Sequence, residues 1–382
     1  MAACSGKLRP LTTIIGNHEE RSGKATLGEL IQRLLNSSSS RVAISEADLD
    51  RRVPVARNCE DDINAVSSRT PFSPGYLANG LKPMHAHRTA AIANEGPRPL
   101  IRTLPTRLRT GEKLLIVYFS YIALLTVIRL HPLTQIVLAW SLAVVVATLA
   151  WVAAHDTRGW RTVLRDWTTL ALIPVAYWEL QFFASDRVLG WQNTWILWDQ
   201  HLLHDGRLAA AIEILGPCIP FILETTYLCL YAIPSFCLAA LYVYGRRDRI
   251  DRLMTTLLLG ALGAYALMPY FPSTSPRLAF PGSDLPHFTS FVRTMNVWVL
   301  DRFDISTSVF PSGHVAVAFA STFGLLRALP EKRWLVYCLF AMSTVVYVAT
   351  VYSRYHYAVD GLAGAAVAML AWRTSYFLEQ HT

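Results

Sequence analysis

From Leu114 onward the sequence is a succession of apolar runs separated by short polar or basic segments. Each run is close to the roughly 20 residues that an α-helix needs to cross a bilayer. Because the bilayer core offers no hydrogen-bond partners, a chain that crosses it must form helices or a closed barrel. With 53% hydrophobic and 16% charged residues among 382, the chain is also more apolar than soluble proteins of this length. The sequence therefore predicts an all-α, polytopic bundle of transmembrane helices.

We predict eight spans, with basic residues at every second connection between them. The spans cover residues 114–130, 133–154, 167–184, 219–244, 253–271, 313–329, 334–352 and 357–377. Arginine and lysine are concentrated before the first span and after the second, fourth and sixth, as the positive-inside rule expects of cytosolic segments. The other connections, including 185–218, 272–312 and the "YSRYHY" corner, are therefore predicted to face outward. In the first of them, Trp191, Trp195 and Trp198 predict an amphipathic segment along the outer interface, with Asp199 on its solvated side.

Residues 1–106 differ from the rest of the chain in composition. They contain "NSSSS", many arginines and no sustained apolar period, so we expect a mostly disordered basic region. Met84, within it, is an alternative start of the protein. The net charge of +8 does not indicate nucleic-acid binding, because the basic residues beyond this region fall mostly in short connections between apolar runs. The six cysteines show no CxxC pair, which argues against a disulfide framework.

Three polar clusters occur at the outward ends of the predicted helices. Their key residues are Arg277 in "STSPRLAF", Ser312, Gly313 and His314 in "FPSGH", and Arg354, His356 and Asp360 in "SRYHYAVD". The parity of the spans brings all three clusters to one side of the membrane. The two histidines are separated by about the length that two crossings of the bilayer require, so both return to the same surface.

The residue types in these clusters suit the binding and attack of a phosphate. Pro311 favours the first turn of a helix, where free N–H groups and a glycine can cradle an anion. On a helix, His356 and Asp360 would share a face, so that the carboxylate fixes the tautomer and leaves the other imidazole nitrogen free to attack. Arg277 and Arg354 supply forked donors for phosphate oxygens. The pattern predicts phosphoryl transfer, with one histidine as nucleophile and another as acid.

These clusters resemble the three signature motifs of the type-2 phosphatidic acid phosphatase superfamily, which also contains lipid phosphotransferases and vanadium haloperoxidases. The resemblance covers roughly residues 167–377 and implies a catalytic membrane domain at 167–382 with a six-helix core, preceded by two additional helices at 107–166. It implies a lipid phosphate or phospholipid substrate, and no metal or cofactor. The family's roles, carried onto matching positions, make His356 the nucleophile, Asp360 its orienter, His314 the general acid, and Arg277, Ser312, Gly313 and Arg354 the phosphate binders.

The sequence departs from the superfamily pattern at two positions, and these departures indicate which branch of the superfamily it resembles. The first motif usually has a lysine seven residues before its arginine, where this chain has Tyr270, so Arg293 or Arg302 is a candidate substitute. In the third motif, one residue separates Arg354 from His356, where the family usually has five. This compact form is similar to the inositol phosphorylceramide synthase branch and implies an inositolphosphotransferase-like enzyme, with water or an alcohol as acceptor. We expect an integral protein of a bacterial-type inner or plasma membrane, with its site on the outer side.

Several alternatives stay open at this point. Taken alone, His356 and Asp360 are compatible with an ordinary helical ion pair, and "FPSGH" with a proline-started helix. A vanadate-dependent haloperoxidase would use the same cradle for vanadate, and a non-catalytic protein would only bind phospholipid headgroups. Glu179 and Glu224, within or near predicted helices, are candidates for a substrate role or for the outer interface. A metal site formed by His314, His356 and Asp360 lacks a cysteine or a third histidine at ligand spacing.

Overall fold

The computed structural model describes residues 108–155, 159–184, 190–282, 285–307 and 309–380. Within these ranges the regular elements are helices, with no β-strand among them, which confirms the all-α fold class. The predicted disordered region 1–106 and the alternative start at Met84 lie outside the described residues.

The helices of the described chain follow one another with short connections. They are α1 (Thr110–Ile128), α2 (Leu133–His155), α3 (Gly159–Trp178), α4 (Trp191–Gln200), α5 (Leu208–Glu213), α6 (Cys218–Cys229), α7 (Ile233–Val243), α8 (Ile250–Leu267), α9 (Pro276–Ala279), α10 (Phe291–Phe303), α11 (Gly313–Ala328), α12 (Arg333–Tyr352) and α13 (Ala358–Gln380). Single 3-10 or π turns extend several of them, at Glu179–Phe183, His201–Asp205, Leu230–Ala232, Arg247–Arg249 and Met268–Tyr270.

Helix α8 is the centre of the bundle and packs against α1, α3, α7, α11 and α13. Small residues allow α8 and α11 to approach closely. A Cβ on Gly260 would lie 2.4 Å from the Cβ of Ala320, and one on Gly324 would lie 2.9 Å from the carbonyl oxygen of Leu253. Small residues at helix contacts are typical of membrane bundles, where packing replaces the hydrophobic effect as the force between helices. Helices α8, α11 and α13 thereby form the framework that carries two of the three polar clusters.

Each predicted span falls on helical chain, but not all of these segments have the length and composition of a membrane span. Within the described residues, five segments do: Thr110–Ile128, Leu133–His155, Cys218–Val243, Arg247–Tyr270 and Arg333–Tyr352. The 16-residue α11 is shorter, and α3 and α13 are long enough but less apolar. The apolar helices support an integral membrane protein, and the number of eight spans stays a prediction.

The polar clusters and the basic connections lie at opposite ends of α11. His314 is the second residue of this helix and Arg327 the last but one, about 20 Å away at the helical rise of about 1.5 Å per residue. At the Arg327 end, basic residues pair with carboxylates: Arg327 donates to Glu379 at 2.5 Å, and Arg249 donates to Glu331 at 3.0 Å. These charge pairs tie the ends of α8, α11 and α13 together.

Candidate active site

The three polar clusters meet where α11 and α13 begin. Main-chain hydrogen bonds join them in pairs: the Arg277 N–H donates to the Arg354 carbonyl at 2.9 Å, and the Ser312 N–H donates to the Asp360 carbonyl at 2.9 Å. Gly364 on α13 permits the second contact, because a Cβ at this position would lie 2.5 Å from the Ser312 carbonyl oxygen. Residues from three distant stretches of sequence thus occupy one small region.

The two histidines face each other in this region. Nδ1 of His314 lies 3.2 Å from Nε2 of His356, a hydrogen-bond distance. His314 is in the first turn of α11, and His356 lies in the corner between α12 and α13. Burial lowers the pKa of His356 to about 4, an effect that the negative charge of Asp304 partly offsets. His356 is therefore a neutral imidazole near pH 7, which is the form that can attack phosphorus.

The expected placement of His356 and Asp360 on one helical face is wrong. Helix α13 begins at Ala358, so His356 precedes it and only Asp360 lies in its first turn. Oδ2 of Asp360 accepts the main-chain N–H of Tyr357 at 2.9 Å, because this N–H at the helix start has no partner within the helix. The same oxygen lies 3.5 Å from Nδ1 of His356, longer than a hydrogen bond. The buried carboxylate still favours a proton on Nδ1, which leaves Nε2 to accept from His314.

Ser312 and Gly313 shape the start of α11. The Oγ of Ser312 accepts the N–H of Val315 at 3.3 Å, so this hydroxyl caps the helix. A Cβ on Gly313 would lie 2.8 Å from the ring of Tyr265, so glycine lets the helix start pack against α8. The positive end of the helix dipole consequently lies beside His314, where a phosphate would gain from it.

Carboxylates hold both arginines that the sequence predicts to bind phosphate. Nη1 of Arg354 donates to Oδ2 of Asp199 at 2.6 Å, and both side chains are buried. Nη1 of Arg277 donates to Oδ1 of Asp301 at 2.6 Å, and its Nη2 lies 3.9 Å from Oδ2 of Asp304. Arg354 also has a left-handed backbone conformation, with φ of 64°, which turns the chain between α12 and α13. The guanidinium groups are therefore oriented by ion pairs that no local sequence pattern indicates.

The chain that carries this geometry matches a known family. Residues 197–374 match the PAP2 superfamily. The matched range includes every predicted site residue from Arg277 to Asp360, and it supports placing the protein in this superfamily. No curated protein and no solved structure matches the chain. The superfamily resemblance is thus supported, and the narrower inositol phosphorylceramide synthase-like branch stays a prediction.

Arg293 and Arg302, the candidates to replace the lysine of the superfamily's first motif, both have other partners. Nη1 of Arg293 donates to Oε1 of Glu224 at 2.6 Å, and Nη2 of the same side chain approaches the Ser353 carbonyl at 3.4 Å. Arg302 lies over the ring of Trp298, 4.9 Å from its centroid. Neither side chain lines the cavity that contains His314 and His356, and a substitute role for either arginine stays a prediction.

Glu224 is buried and binds side chains around the corner that contains His356. Besides Arg293, its carboxylate accepts Nδ2 of Asn296 at 2.7 Å and the hydroxyl of Tyr355 at 2.8 Å. Tyr355 directly precedes His356 in the chain. The sequence marks Glu224 only as an acid near a predicted helix, and the structure assigns it these three side-chain donors.

Sequence reasoning misses Asp199 and Asp304. Asp199 lies with Gln192 and Trp195 on the buried face of α4, whereas the sequence predicts a solvated position. Its spacing from these two residues, seven and four positions, is helical and is the signal that indicates burial. Asp304 directly follows α10, and no local pattern marks it.

An apolar cavity of about 490 Å³ adjoins the histidine pair. Its walls come from α3, α7, α8, α10 and α11, and Asp304, His314 and His356 belong to its lining. Glu179, the other acid noted in the sequence, is buried and does not line this cavity. The volume is in the range of small-molecule sites, and the walls suit hydrocarbon. Groups capable of phosphate chemistry therefore lie next to space for an apolar chain.

Proposed function

We propose that this protein is an integral membrane PAP2 enzyme that hydrolyses or transfers the phosphate group of a lipid phosphate or phospholipid. The observation that supports this best is the 3.2 Å approach of His314 Nδ1 to Nε2 of His356, beside an apolar cavity. The superfamily match and the apolar helices fit a membrane phosphatase. Within the superfamily we favour the inositol phosphorylceramide synthase-like branch, in which an alcohol accepts the phosphorylated headgroup.

In the proposed reaction, Nε2 of His356 attacks phosphorus and the bond from phosphorus to the leaving oxygen breaks. His314 enters the step as an imidazolium, donates its Nδ1 proton to that oxygen and is left as a neutral imidazole, while Asp360 stabilises the positive charge that develops on His356. Arg277 and Arg354 stabilise the charge on the equatorial oxygens, together with the N-terminus of α11. Water or an alcohol then attacks the phospho-histidine and returns a proton to His314. Hydrolysis and transfer differ only in this second acceptor.

The proposed setting follows the sequence. We propose eight spans and a site at the outer side of a bacterial-type inner or plasma membrane, with residues 107–166 as two additional helices and 167–382 as the catalytic domain. The lipid tail lies in the apolar cavity, so membrane lipids are the partners of the protein. The chemistry uses side chains and the helix terminus, and we propose no cofactor.

A panel of lipid phosphates and phospholipids, with and without inositol as acceptor, tests this proposal in reconstituted protein. Release of phosphate and formation of a new phosphodiester are measured separately. His356→Ala is expected to abolish both, and His314→Ala to slow both by about 10²–10⁴-fold. His201→Ala is the matched control, because its side chain is 74% exposed and its ion-pair partner Asp205 is exposed as well.

Three results would overturn the proposal. Full turnover by His356→Ala would remove the nucleophile from the mechanism. Headgroup binding without turnover across the whole panel would favour a non-catalytic protein. Halide oxidation that depends on added vanadate would favour a haloperoxidase.

A further inference from the structure

The proposed phosphate site carries more carboxylates than guanidinium groups. Arg277 contacts Asp301 and lies near Asp304, and Arg354 is paired with Asp199. Asp301 and Asp199 thus each bind one guanidinium group directly, and Asp304 and Asp360 are further carboxylates of the same site. A site that attracts a dianion by charge would be expected to have the opposite balance.

Asp304 is the one of these carboxylates that lines the cavity together with His314 and His356. The hydroxyl of Tyr177 donates to its Oδ1, and the main-chain N–H of Ile305 donates to that hydroxyl at 3.1 Å, so the carboxylate is oriented. Its Oδ2 lies 3.9 Å from Nη2 of Arg277, too far for a hydrogen bond. Asp304 thus places an oriented acceptor and a negative charge beside the reaction space.

Phosphate monoesters and phosphodiesters differ in how strongly the negative charge of Asp304 repels or binds them. A phosphate monoester carries about −1.5 to −2 at pH 7. A phosphodiester carries a single negative charge, and its headgroup can bring hydroxyl or ammonium donors. A carboxylate beside the phosphate repels the first class more strongly and can bond to the second.

We propose that Asp304 selects phosphodiester lipids whose headgroup carries a hydrogen-bond donor over phosphate monoesters. This rests on the proposed function, since it names the substrate class of the same site. The headgroup donates to the Asp304 carboxylate, and a monoester that offers only a second negative charge is disfavoured.

The bonds and protons of the resulting transfer balance. Nε2 of His356 bonds to phosphorus as the bond to the glycerol-type oxygen of the lipid breaks, and that oxygen takes the Nδ1 proton of His314. The headgroup phosphate stays on His356, with the headgroup donor held by Asp304. An incoming hydroxyl then displaces the imidazole, and its proton goes to His314.

Substrate ranking by the unmodified protein is the first test. Phosphatidic acid, phosphatidylinositol, phosphatidylethanolamine and phosphatidylmethanol are compared at equal mole fraction in mixed micelles. We expect kcat/KM for at least one of the two donor-bearing diesters to exceed that for phosphatidic acid by about tenfold or more. Phosphatidylmethanol, a diester without a headgroup donor, is expected to fall below the favoured diester. A preference for phosphatidic acid, or equal turnover of phosphatidylmethanol and the donor-bearing diesters, would overturn the proposal.

Two variants then test whether Asp304 sets the substrate preference. Asp304→Asn is expected to reduce the preference for the diester by about tenfold, chiefly through a gain with phosphatidic acid. Asp301→Asn is the control, because its carboxylate binds the same arginine but is 56% exposed and does not line the cavity. It is expected to leave the preference within about twofold. Equal loss with every substrate in Asp304→Asn would show that Asp304 only orients Arg277, and would overturn the proposal.

Failure of this proposal can be told apart from failure of the proposed function. If His356→Ala is inactive and the unmodified protein prefers phosphatidic acid, the function stands and the role of Asp304 is wrong. If no lipid of the panel is turned over, or if His356→Ala is fully active, the proposed function is wrong as well.

Discussion

Replacement of Arg293 by methionine is expected to destabilise the protein and to slow its reaction. The side chain of Arg293 is 9% exposed, and its Nη1 donates to Oε1 of Glu224 at 2.6 Å. Its Nη2 approaches the Ser353 carbonyl at 3.4 Å. Methionine keeps much of the apolar length but removes the charge and both contacts. The Glu224 carboxylate then remains buried without its cation.

The expected loss in the free energy of unfolding depends on which groups still bind Glu224 in the variant. Removing one partner of a buried ion pair costs about 3–5 kcal/mol. Because Asn296 and Tyr355 still donate to Oε2, at 2.7 and 2.8 Å, we expect a loss near the lower end, about 3 kcal/mol. Tyr355 precedes His356, so a loosened corner displaces the imidazole from phosphorus. A displacement of about 1 Å lowers the rate by about a hundredfold.

Denaturant unfolding in detergent measures the loss of stability, and kcat with KM measures the slower reaction. Arg302→Met is the matched control, since Arg302 is on the same helix but is exposed and stacks over Trp298. It should change the free energy of unfolding by less than about 0.5 kcal/mol. In a double-mutant cycle with Glu224→Gln, the double variant should lose less than the sum of the single losses. An Arg293→Met protein as stable as the control, with unchanged kcat, would contradict a structural role for the Arg293–Glu224 pair.

Two further outcomes follow from the geometry. Because burial lowers the pKa of His356 from 6.5 to about 4, the imidazole stays neutral as the pH falls through 6.5. The acid limb of kcat/KM, measured with a phosphodiester that does not titrate in this range, should lie well below pH 6.5; a limb at 6.5 would contradict the burial of His356. Gly364→Ala should lower kcat and cost about 1–3 kcal/mol of stability, because its Cβ would meet the Ser312 carbonyl at 2.5 Å. Gly190→Ala is the control, because nothing lies within 4 Å of its Cβ, and it should change neither kcat nor the free energy of unfolding. The same kcat and stability in both variants would argue against a positioning role for Gly364.

The fold class and the three polar clusters were predictable because their signals are local. Apolar runs of spanning length predict helices, and motif residues such as His314 and His356 meet because two packed helices, α11 and α12, lead the chain away and back between them. The start of α13 was harder to predict. The left-handed conformation of Arg354 and the turn after it end α12, and they keep His356 out of the following helix.

The ion pairs around the site were not predictable from sequence spacing. Asp199 pairs with Arg354 across 155 positions, and Glu224 pairs with Arg293 across 69. Such pairs are fixed by helix packing, which a single sequence does not specify. For Asp199 the sequence does contain a signal of burial, because this acid is at helical spacing from Trp195, which is buried in α4.

Trapping the intermediate tests whether Nε2 of His356 takes up the phosphoryl group. Turnover of a lipid labelled at phosphorus is stopped in alkali, where phospho-histidine survives, and the labelled peptide is identified by mass spectrometry. We expect label on the peptide that contains His356, and none in His356→Ala. Label on a different residue, or label that persists in His356→Ala, would contradict the assignment of His356 as the nucleophile.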